Sequence, residues 1–320
     1  MSNKELYKEL CQTQGDNIPL FQQYWWMEAV CFGKRWEVAL AYDGQGQIIG
    51  AMPFLLGQKL GMRYVLQPQL TQYNGPWFNY PQDCSEMERL DFEKKVSDQL
   101  ISQVQSFGVS YFYQHFSPAV TNWLPFYWEG FQQTTRYTYR LSDLSDLNAV
   151  FEGFNKKKRQ KQILRHDGRY QTIYSMTPAQ FADFHAEYWR GKGKKDLLSK
   201  SFIERVCQDA ISRGQGAILA LTEQESSDII YARFIVWDSN CTYSLMSAHG
   251  RHETDNGINE LLVWRAIQEA ATHSKAFDFE GSMDPGIEYF YRLFGSSQTP
   301  YFAVSKCYNP LFKLLLKLKR

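Results

Sequence analysis

The sequence has no excess of charge of either sign and no composition typical of a disordered chain. Its 320 residues include 35 basic and 34 acidic side chains, a formal net charge of +1. A molecule this close to neutral does not attract nucleic acid as a whole, so only a local cluster of cations could bind a polyanion. Hydrophobic residues make up 44% of the chain and charged residues 22%, which predicts a globular protein. The length suits two domains of ordinary size.

Cysteine pairs and long apolar segments are also missing. The six cysteines contain no C-x-x-C pair, which argues against a zinc finger and a disulfide framework. No apolar run approaches the roughly eighteen residues that a membrane-spanning helix needs. The first residues, from Met1 to Glu5, do not resemble the apolar region of a signal peptide. These absences predict a cytoplasmic protein that is neither secreted by that route nor integral to a membrane.

The sequence does contain an internal repeat. The segment Phe112–Ser117 aligns with Phe277–Ser282 at an offset of 165 positions, and Gly130–Thr134 aligns with Gly295–Thr299 at the same offset. The helical pattern that ends at Phe107–Gly108 also aligns with the one that ends at Thr272–His273. Three matches in one register are less likely to arise by chance than one, so they indicate a repeated structural unit. We therefore expect two halves of like topology.

Each half also carries a β-hairpin signal, which consists of two β-rich runs around a polar turn. The runs are Trp36–Tyr42 and Ile48–Leu56 in the first half, and Ala217–Leu221 and Ile229–Trp237 in the second. The hairpins are displaced by 181 positions rather than 165, so the first half has about sixteen additional residues between its hairpin and its long helix. We expect this insert to include the aromatic loop Tyr73–Trp77.

Periodicity predicts the remaining elements of the second half. Apolar residues recur at helical spacing from Ile258 to Ile267, and Phe277–Glu280 alternates as a strand. The segment Tyr289–Phe294 is predicted to form a short helix that ends at Gly295.

Mixed strands with crossover helices predict an α/β (α+β) fold. The polar stretch Leu141–Asp146, rich in capping residues, marks the expected boundary between two domains. The predicted N-terminal domain covers residues 1–141 and the C-terminal domain covers residues 142–320.

Several of these segments resemble a known family. The order of elements resembles the GNAT acyltransferase fold in duplicate, and Gly257–Trp264, Phe277–Ser282 and Tyr289–Gly295 are similar to its FemAB-like branch. The basic segment Lys156–Arg165 and the loop Thr71–Pro76 resemble segments of the same group. The resemblance implies two tandem GNAT-like domains, each a mixed, mostly antiparallel sheet flanked by helices. It also implies an N-acyltransferase that moves an acyl or aminoacyl group to an amine, such as that of a peptidoglycan or other cell-envelope precursor.

The resemblance leaves the acyl donor open. GNAT enzymes that use acetyl-CoA usually hold its pyrophosphate in a glycine-rich loop before the long helix, where backbone N–H groups stabilise phosphate. Here that loop, Gly250–Gly257, contains acidic residues and only a terminal glycine after Gly250. The FemAB-like branch, which uses aminoacyl-tRNA, also lacks the glycine-rich loop. Acyl-CoA and aminoacyl-tRNA therefore both remain candidate donors, and the acceptor is a small-molecule or nucleotide-linked amine.

Two carboxylates are the candidate catalytic residues. Asp278 and Glu280 are two positions apart on the predicted strand, so they share one face of it. By resemblance this strand borders the acceptor cleft, where Glu280, or else Asp278, would accept a proton from the amine or position it. The alternative is a carboxylate that is solvated or paired with an arginine such as Arg292. His115 aligns with Glu280 in the repeat.

No nucleophile elbow and no Cys/His signature is present, so we expect the amine to attack the donor directly. The pair His249 and His252, with Glu253 and Asp255 nearby, has a spacing too weak to indicate a metal, and no metal is predicted.

The basic segment is the candidate phosphate-binding site. Lys157, Lys161 and Arg165 are spaced to lie on one helical face, where like charges repel and an anion would offset the repulsion. Such a face could bind a nucleotide-linked acceptor or the tRNA backbone, or it could simply be solvated. A non-catalytic module that binds a phosphorylated ligand or RNA through this segment is the alternative function. The other candidate binding residues are Lys158, Arg233, Tyr73, Asn74, Trp77, Asn259 and Arg292.

Three of these predictions have structural alternatives. The aromatic loop could stack on a sugar or base, or it could pack in the core. Arg233 lies in the predicted second hairpin, where a buried arginine needs a carboxylate or phosphate. The apolar, basic tail 311–320 could contact an anionic membrane surface, or it could dock as a last helix. The sequence carries no signal for an oligomeric state.

Overall fold

The computed structural model describes residues 2–224, 226–250 and 257–312. The chain forms two compact units. Unit 1 consists of Met1–Arg136 together with Pro300–Arg320, and unit 2 consists of Tyr137–Thr299. The strand from Pro300 onward therefore packs in unit 1, although the sequence places it in the second domain.

Unit 1 is a mixed sheet with helices. Its helices are α1 (Asn3–Gln14), α2 (Tyr24–Val30), α3 (Glu86–Ser106) and α4 (Leu124–Trp128), and its strands are β1 (Trp36–Tyr42), β2 (Ile48–Lys59), β3 (Met62–Leu66), β4 (Trp77–Phe78) and β5 (Val109–His115). A sixth strand, β6 (Gln132–Leu141), leads into unit 2. The long helix α3 begins with a capping box, in which Ser85 and Glu88 bond each other's backbone N–H groups.

Unit 2 repeats this plan. After β6 come α5 (Leu147–Glu152), a π-helical turn (Lys156–Gln160), α6 (Lys161–His166), β7 (Tyr170–Ile173), α7 (Pro178–Gly191), α8 (Lys200–Ser212), β8 (Gly216–Glu223), β9 (Ile229–Trp237), β10 (Cys241–His249), α9 (Ile258–Ala270), β11 (Ala276–Asp278), α10 (Pro285–Arg292) and β12 (Ser297–Cys307). Both predicted hairpins and the predicted long helix are present. The short helix begins at Pro285, four residues earlier than predicted, because Asp284 caps its first N–H groups.

The two units share one strand order. Unit 1 has β1-β2-β3-β5-β12, and unit 2 has β8-β9-β10-β11-β6, with β7 beyond β8. In each, the third and fourth strands are parallel and the other neighbours are antiparallel. The expected like topology of the two halves is therefore observed.

The last strand of each unit comes from the other half of the sequence. β12 follows the second repeat but pairs with β5, through Ala303 opposite His115. β6 follows the first repeat but pairs with β11, through Arg140 opposite Asp278. The two repeats thus exchange their final strands.

The core of unit 2 lies between its sheet and α9. Leu219 and Ile235 from the sheet pack with Leu261 and Ile267 from α9, and all four side chains are fully buried. Burial of these apolar side chains stabilises the packing of α9 on the sheet. Among the residues that the structure describes, no helix combines the length and the apolar character needed to cross a bilayer.

Candidate active site at the end of strand β11

The parallel strands β10 and β11 separate shortly after they begin to pair. They are paired from Cys241 opposite Ala276 to Tyr243 opposite Asp278, where β11 ends. β10 continues for six more residues without β11 beside it. It also contains a β-bulge, because Ser244 and Met246 lie opposite the consecutive residues Ile235 and Phe234. The bulge leaves Leu245 as an extra residue whose backbone is outside the regular ladder.

Asp278 is a fully buried carboxylate with several partners. Its Oδ1 accepts a hydrogen bond from the Thr138 hydroxyl at 2.5 Å and another from the Glu280 N–H at 2.8 Å. Its Oδ2 lies 3.5 Å from Nε of Arg140. Asp278 is thus paired with an arginine, as in the structural alternative, but the arginine is Arg140 and not Arg292. Because Oδ1 accepts two hydrogen bonds and Oδ2 faces the Arg140 guanidinium, Asp278 is suited to position its neighbours and less suited to accept a substrate proton.

Glu280 is in a different environment from Asp278. Its backbone has a φ of +57°, a left-handed conformation that a residue with a side chain rarely adopts. The predicted strand Phe277–Glu280 therefore ends two residues early, and the shared face predicted for the two carboxylates is not formed. The hydrogen bond from Glu280 N–H to Asp278 holds this turn.

The carboxyl of Glu280 has an unused oxygen. The residue keeps some exposed surface, but its Oε1 is enclosed and has no hydrogen-bond partner among the described residues. Burial, and then the negative charge of Asp278, raise the pKa of Glu280 well above its ordinary value. An enclosed carboxyl with a raised pKa and an unused acceptor is suited to take a proton from a bound amine.

Gly281 fixes the turn against strand β6. A Cβ atom at this position would lie 1.9 Å from the Tyr137 carbonyl oxygen and 2.4 Å from Cα of Thr138. Only glycine allows this close approach of two backbones. The position of the Glu280 side chain is thus set by its backbone contacts on both sides.

A buried arginine lies on β9 next to the bulged strand. Arg233 is 6% exposed, and its guanidinium donates to the Ser244 hydroxyl and, at 3.0 Å, to Oδ1 of Asn259. Its Nε is enclosed without a partner, and no carboxylate among the described residues pairs with it. Burial lowers the pKa of Arg233. The structure therefore brings together two of the predicted binding residues, because Asn259 bonds the Arg233 guanidinium. This guanidinium has no counter-ion in the described part of the chain.

Tyr291, on α10, has a pKa that responds to the charges of both carboxyls and of the arginine. Burial raises the pKa of its phenol, the charge of Arg233 lowers it, and the charges of Glu280 and Asp278 raise it further. Sequence reasoning did not select Tyr291, although it stands inside the Tyr289–Gly295 segment that carried the family resemblance. It also did not select Thr138 or Arg140, because partners from a neighbouring strand leave no local pattern.

Comparison with solved structures identifies the fold. The chain is similar to the crystal structure of FemX, with a TM-score of 0.70 and 12% identity over 98% of both chains. The chain has a FemX-like GNAT fold. It is also similar to L-PGS from Bacillus licheniformis, with a TM-score of 0.57 and 13% identity over 98% of this chain and 95% of that one. A tandem GNAT protein of the clavulanic acid biosynthesis pathway matches with a TM-score of 0.54 and 9% identity over 94% and 92%. No family profile and no curated protein matches the chain by sequence.

The α/β fold expected from the FemAB-like resemblance is thus confirmed. These likenesses concern the fold, because every identity is far below 25%. The activity and its substrates have to be argued from the residues of this chain.

The basic segment Lys156–Arg165 contains one buried cation and several exposed ones. Arg159 is 5% exposed, pairs with Glu260 at 3.0 Å and lies over the rings of Phe290 and Phe294. It anchors the segment to α9 and α10. The predicted binding residues Lys157, Lys158, Lys161 and Arg165 are all exposed.

Lys158 donates to the Tyr289 hydroxyl and lies 4.7 Å from the centre of its ring. In the described part of the chain, no acidic side chain pairs with the other three exposed cations.

The remaining predicted binding residues have other partners. Arg292 is exposed on α10 and pairs with Glu288 at 3.2 Å. In unit 1, Tyr73 and Asn74 are buried, and the indole of Trp77 donates to the Asn17 carbonyl at 2.8 Å. The aromatic loop thus packs in the core of unit 1, as the structural alternative expected.

The residues considered for a metal do not form a cluster in the described ranges. His249 points its Nδ1 at the Gly250 carbonyl oxygen, 2.9 Å away. His252, Glu253 and Asp255 lie outside the described residues, as do most of the tail 311–320 and most of the loop Gly250–Gly257. No group of three or more metal-ligating side chains occurs among residues 2–224, 226–250 and 257–312.

Proposed function

We propose that unit 2 transfers an acyl or aminoacyl group from a thioester or ester donor to an amine. The observation that carries this proposal is the Glu280 carboxyl, just beyond the point where β10 and β11 separate. One of its oxygens is enclosed and has no partner in the part of the chain that the structure describes. The FemX-like fold supports the same reaction class, since neighbours of that fold include a domain described as that of a putative lysylphosphatidylglycerol synthetase and a tandem GNAT protein solved without acetyl-CoA.

The reaction is a direct substitution at the donor carbonyl. The amine nitrogen attacks the carbonyl carbon, a C–N bond forms, and the C–S or C–O bond to the carrier breaks. Glu280 in its ionised form takes the proton that the amine loses. The Tyr291 hydroxyl can give a proton to the departing thiolate or alkoxide. The backbone N–H of Leu245, at the bulge in β10, is the candidate donor to the oxyanion, because a bulged residue lies outside the regular ladder.

Binding residues complete the proposed site. Arg233, held by Asn259 and Ser244, would take an anionic group of a substrate. Asp278 positions Glu280 rather than acting on the substrate. The exposed cations Lys157, Lys158, Lys161 and Arg165 would bind phosphates of an acyl-CoA, an aminoacyl-tRNA or a nucleotide-linked acceptor. A cell-envelope precursor with a free amine is the acceptor class that the FemAB-like resemblance favours, and a peripheral membrane location through the tail 311–320 remains part of the proposal.

The test is an assay with both donors. Purified protein is incubated with radiolabelled acetyl-CoA or with a labelled aminoacyl-tRNA, and with a panel of amine acceptors. We expect label transfer by the wild type, a loss with Glu280→Gln, and no change with Glu204→Gln, which removes an exposed carboxylate on α8. If neither donor transfers label to any amine, the proposed activity is wrong.

A non-catalytic module is the second candidate. It is favoured by the five exposed cations of the basic segment, Lys156, Lys157, Lys158, Lys161 and Arg165, which have no acidic partner in the described ranges. Such a module would bind RNA or a phosphorylated ligand with an affinity that falls steeply with salt, and Glu280→Gln would leave that affinity and its function unchanged. A catalytic protein would instead keep its affinity and lose turnover with the same substitution.

A further inference from the structure

A second basic cluster lies in unit 2, outside the site described above. The loop after α7 reads Arg190-Gly-Lys-Gly-Lys-Lys195, which places four cations within six residues. All four side chains are exposed, and none of them forms an ion pair with a described acidic residue. Cations at a helix C-terminus also offset the partial negative charge of its last carbonyls. That charge is about half an elementary charge, so most of the positive charge of the loop remains uncompensated.

The loop is held in a defined conformation at its beginning. The N–H of Gly193 bonds the Arg190 carbonyl at 3.0 Å, and the N–H of Lys194 bonds the Trp189 carbonyl at 3.1 Å. Gly193 has a φ of +66°, so these two bonds form a Schellman motif that ends α7.

The loop is also tied at its far end. His185, 5% exposed on α7, approaches the Asp196 carboxylate with its Nδ1 at 2.7 Å and accepts the Trp189 indole N–H with its Nε2 at 3.3 Å. Asp196 also caps the N–H of Leu198 at 2.9 Å. The cations therefore project from a braced loop, which lowers the entropic cost of collecting them around an anion.

A cavity of about 510 Å³ opens beside this loop. The described residues that line it are Tyr188, Arg190, Gly191, Lys192, His249 and Gly250. Its volume lies within the range of roughly 300 to 1,000 Å³ that small ligands occupy.

The cavity combines aromatic rings with cations. The ring centroids of Tyr188 and His249 are 4.7 Å apart, and those of Tyr231 and His249 are 5.2 Å apart. The Lys192 ammonium lies 5.5 Å from the centre of the Tyr188 ring. Flat rings suit the stacking of a base, and adjacent cations suit phosphate.

From this arrangement we infer that the cavity and its loop form a binding site for a nucleoside diphosphate group, with the phosphates on Arg190 and Lys192 and the base against Tyr188 and His249. The group could belong to coenzyme A, which contains an adenosine 5′-diphosphate. The alternative ligand is the 3′ end of an RNA, whose backbone supplies one phosphate per nucleotide. The inference does not depend on acyl transfer, because binding can be measured without turnover.

The test is calorimetric titration of the full chain with ADP, adenosine and pyrophosphate at low and moderate salt. We expect ADP to bind more tightly than either fragment, and its affinity to fall as salt rises. The double substitution Arg190→Gln/Lys192→Gln should weaken ADP at least tenfold. Tyr188→Leu should weaken ADP but leave pyrophosphate unchanged.

A matched control removes two charges elsewhere in the same unit. Arg213→Gln/Lys275→Gln, which changes two exposed cations that belong to neither site, should leave ADP affinity unchanged, and the thermal unfolding of each variant confirms that it is folded. Absence of ADP binding, or equal ADP affinity in the Arg190→Gln/Lys192→Gln variant and the wild type, would overturn the inference. So would a loss of binding in the control pair alone.

Competition identifies the source of the nucleotide. Displacement of ADP by coenzyme A assigns the site to a thioester, and displacement by a short RNA ending in CCA assigns it to RNA. Loss of ADP binding with normal acyl transfer would refute this site only, whereas ADP binding without any acyl transfer would refute only the proposed function.

Discussion

The parallel strand pairs of the two units follow one topology but end differently. In unit 1, β3 and β5 part near Val65 and Phe112, and the loop that follows β3 closes the gap. The N–H of Asn74 bonds the His115 carbonyl at 2.6 Å, and the His115 N–H bonds Oε1 of Gln67 at 2.9 Å. In unit 2, β10 and β11 part at Tyr243 and Asp278, and the corresponding position holds Glu280 with an unused oxygen.

The aligned residues His115 and Glu280 show what this difference means. Both ring nitrogens of His115 have partners, since Nε2 lies 2.8 Å from the Tyr113 hydroxyl and Nδ1 lies 3.2 Å from the Gln72 carbonyl. Burial, and then the charge of Arg136, lower the pKa of His115 to about 4, so it is neutral and bonded at physiological pH. A repeat position whose polar atoms are all satisfied contributes stability, whereas one with an enclosed unsatisfied atom is a candidate for chemistry.

The sharpest contrast is expected from substitutions at these two aligned positions. Glu280→Gln should lower the turnover of acyl transfer by about 10²-fold or more, because a positioned base typically contributes 10² to 10⁴. His115→Gln should lower thermal stability but leave the turnover of the folded enzyme close to that of the wild type. The measurement is steady-state transfer by each variant, normalised to folded protein. Equal losses of turnover in both variants would contradict the assignment of catalysis to Glu280 and of a structural role to His115.

Phe116 and Gly281, the next aligned pair, should respond to alanine in opposite ways, because one substitution leaves a cavity and the other overpacks its site. Phe116, fully buried, contacts the Phe126 ring at 4.8 Å, so Phe116→Ala should leave a cavity and cost about 3 to 5 kcal/mol. Gly281 touches the backbone of Tyr137, so Gly281→Ala should overpack the site and cost about 1 to 3 kcal/mol. Denaturant unfolding measures both free energies.

Gly44→Ala is the control for these substitutions, since a Cβ atom there meets nothing within 4 Å. A change of less than about 0.5 kcal/mol in the Gly281→Ala variant would show that the turn is not fixed against β6.

The Asp278 network should respond to loss of a single hydroxyl. Thr138 is fully buried and donates to Asp278, so Thr138→Val should cost about 1.5 to 3 kcal/mol, the range for a hydrogen bond to a charged group. The exposed Thr134→Val serves as the control. If the two variants unfold at the same denaturant concentration, Asp278 does not depend on this bond.

The smallest expected effect concerns the pH dependence of stability. A carboxyl whose pKa is raised by folding destabilises the native state as pH rises above the pKa of the unfolded chain, by up to about 1.4 kcal/mol per pH unit. Glu280 has such a pKa. The difference in unfolding free energy between Glu280→Gln and the wild type should therefore grow in favour of the variant as pH rises from 4. A difference that is constant with pH would contradict the raised pKa.

Local sequence patterns predicted much of the fold. Alternating β-rich runs around polar turns marked both hairpins, and apolar residues at helical spacing marked α9. The offset of 165 aligned His115 with Glu280 before their surroundings were known. These features are local or repeated, so the sequence records them directly.

The site itself depended on contacts that the sequence does not record. The exchange of β6 and β12 between the repeats is a choice of pairing partner, and it delivers Thr138 and Arg140 to Asp278. The left-handed turn at Glu280 arises from its bond to Asp278 and from the backbone approach at Gly281. An alternating pattern such as Phe277–Glu280 predicts a straight strand and cannot anticipate either contact.

The central claim is that one carboxyl, at the end of β11, is held neutral beyond the pH at which ordinary carboxyls ionise. Titration of ¹³C-labelled glutamate side chains by NMR tests this directly, with Glu280→Gln used to assign the signal. The account predicts one glutamate carboxyl that titrates well above the others and is absent from the variant. Titration of every glutamate carboxyl near its ordinary pKa of about 4.3 would contradict it.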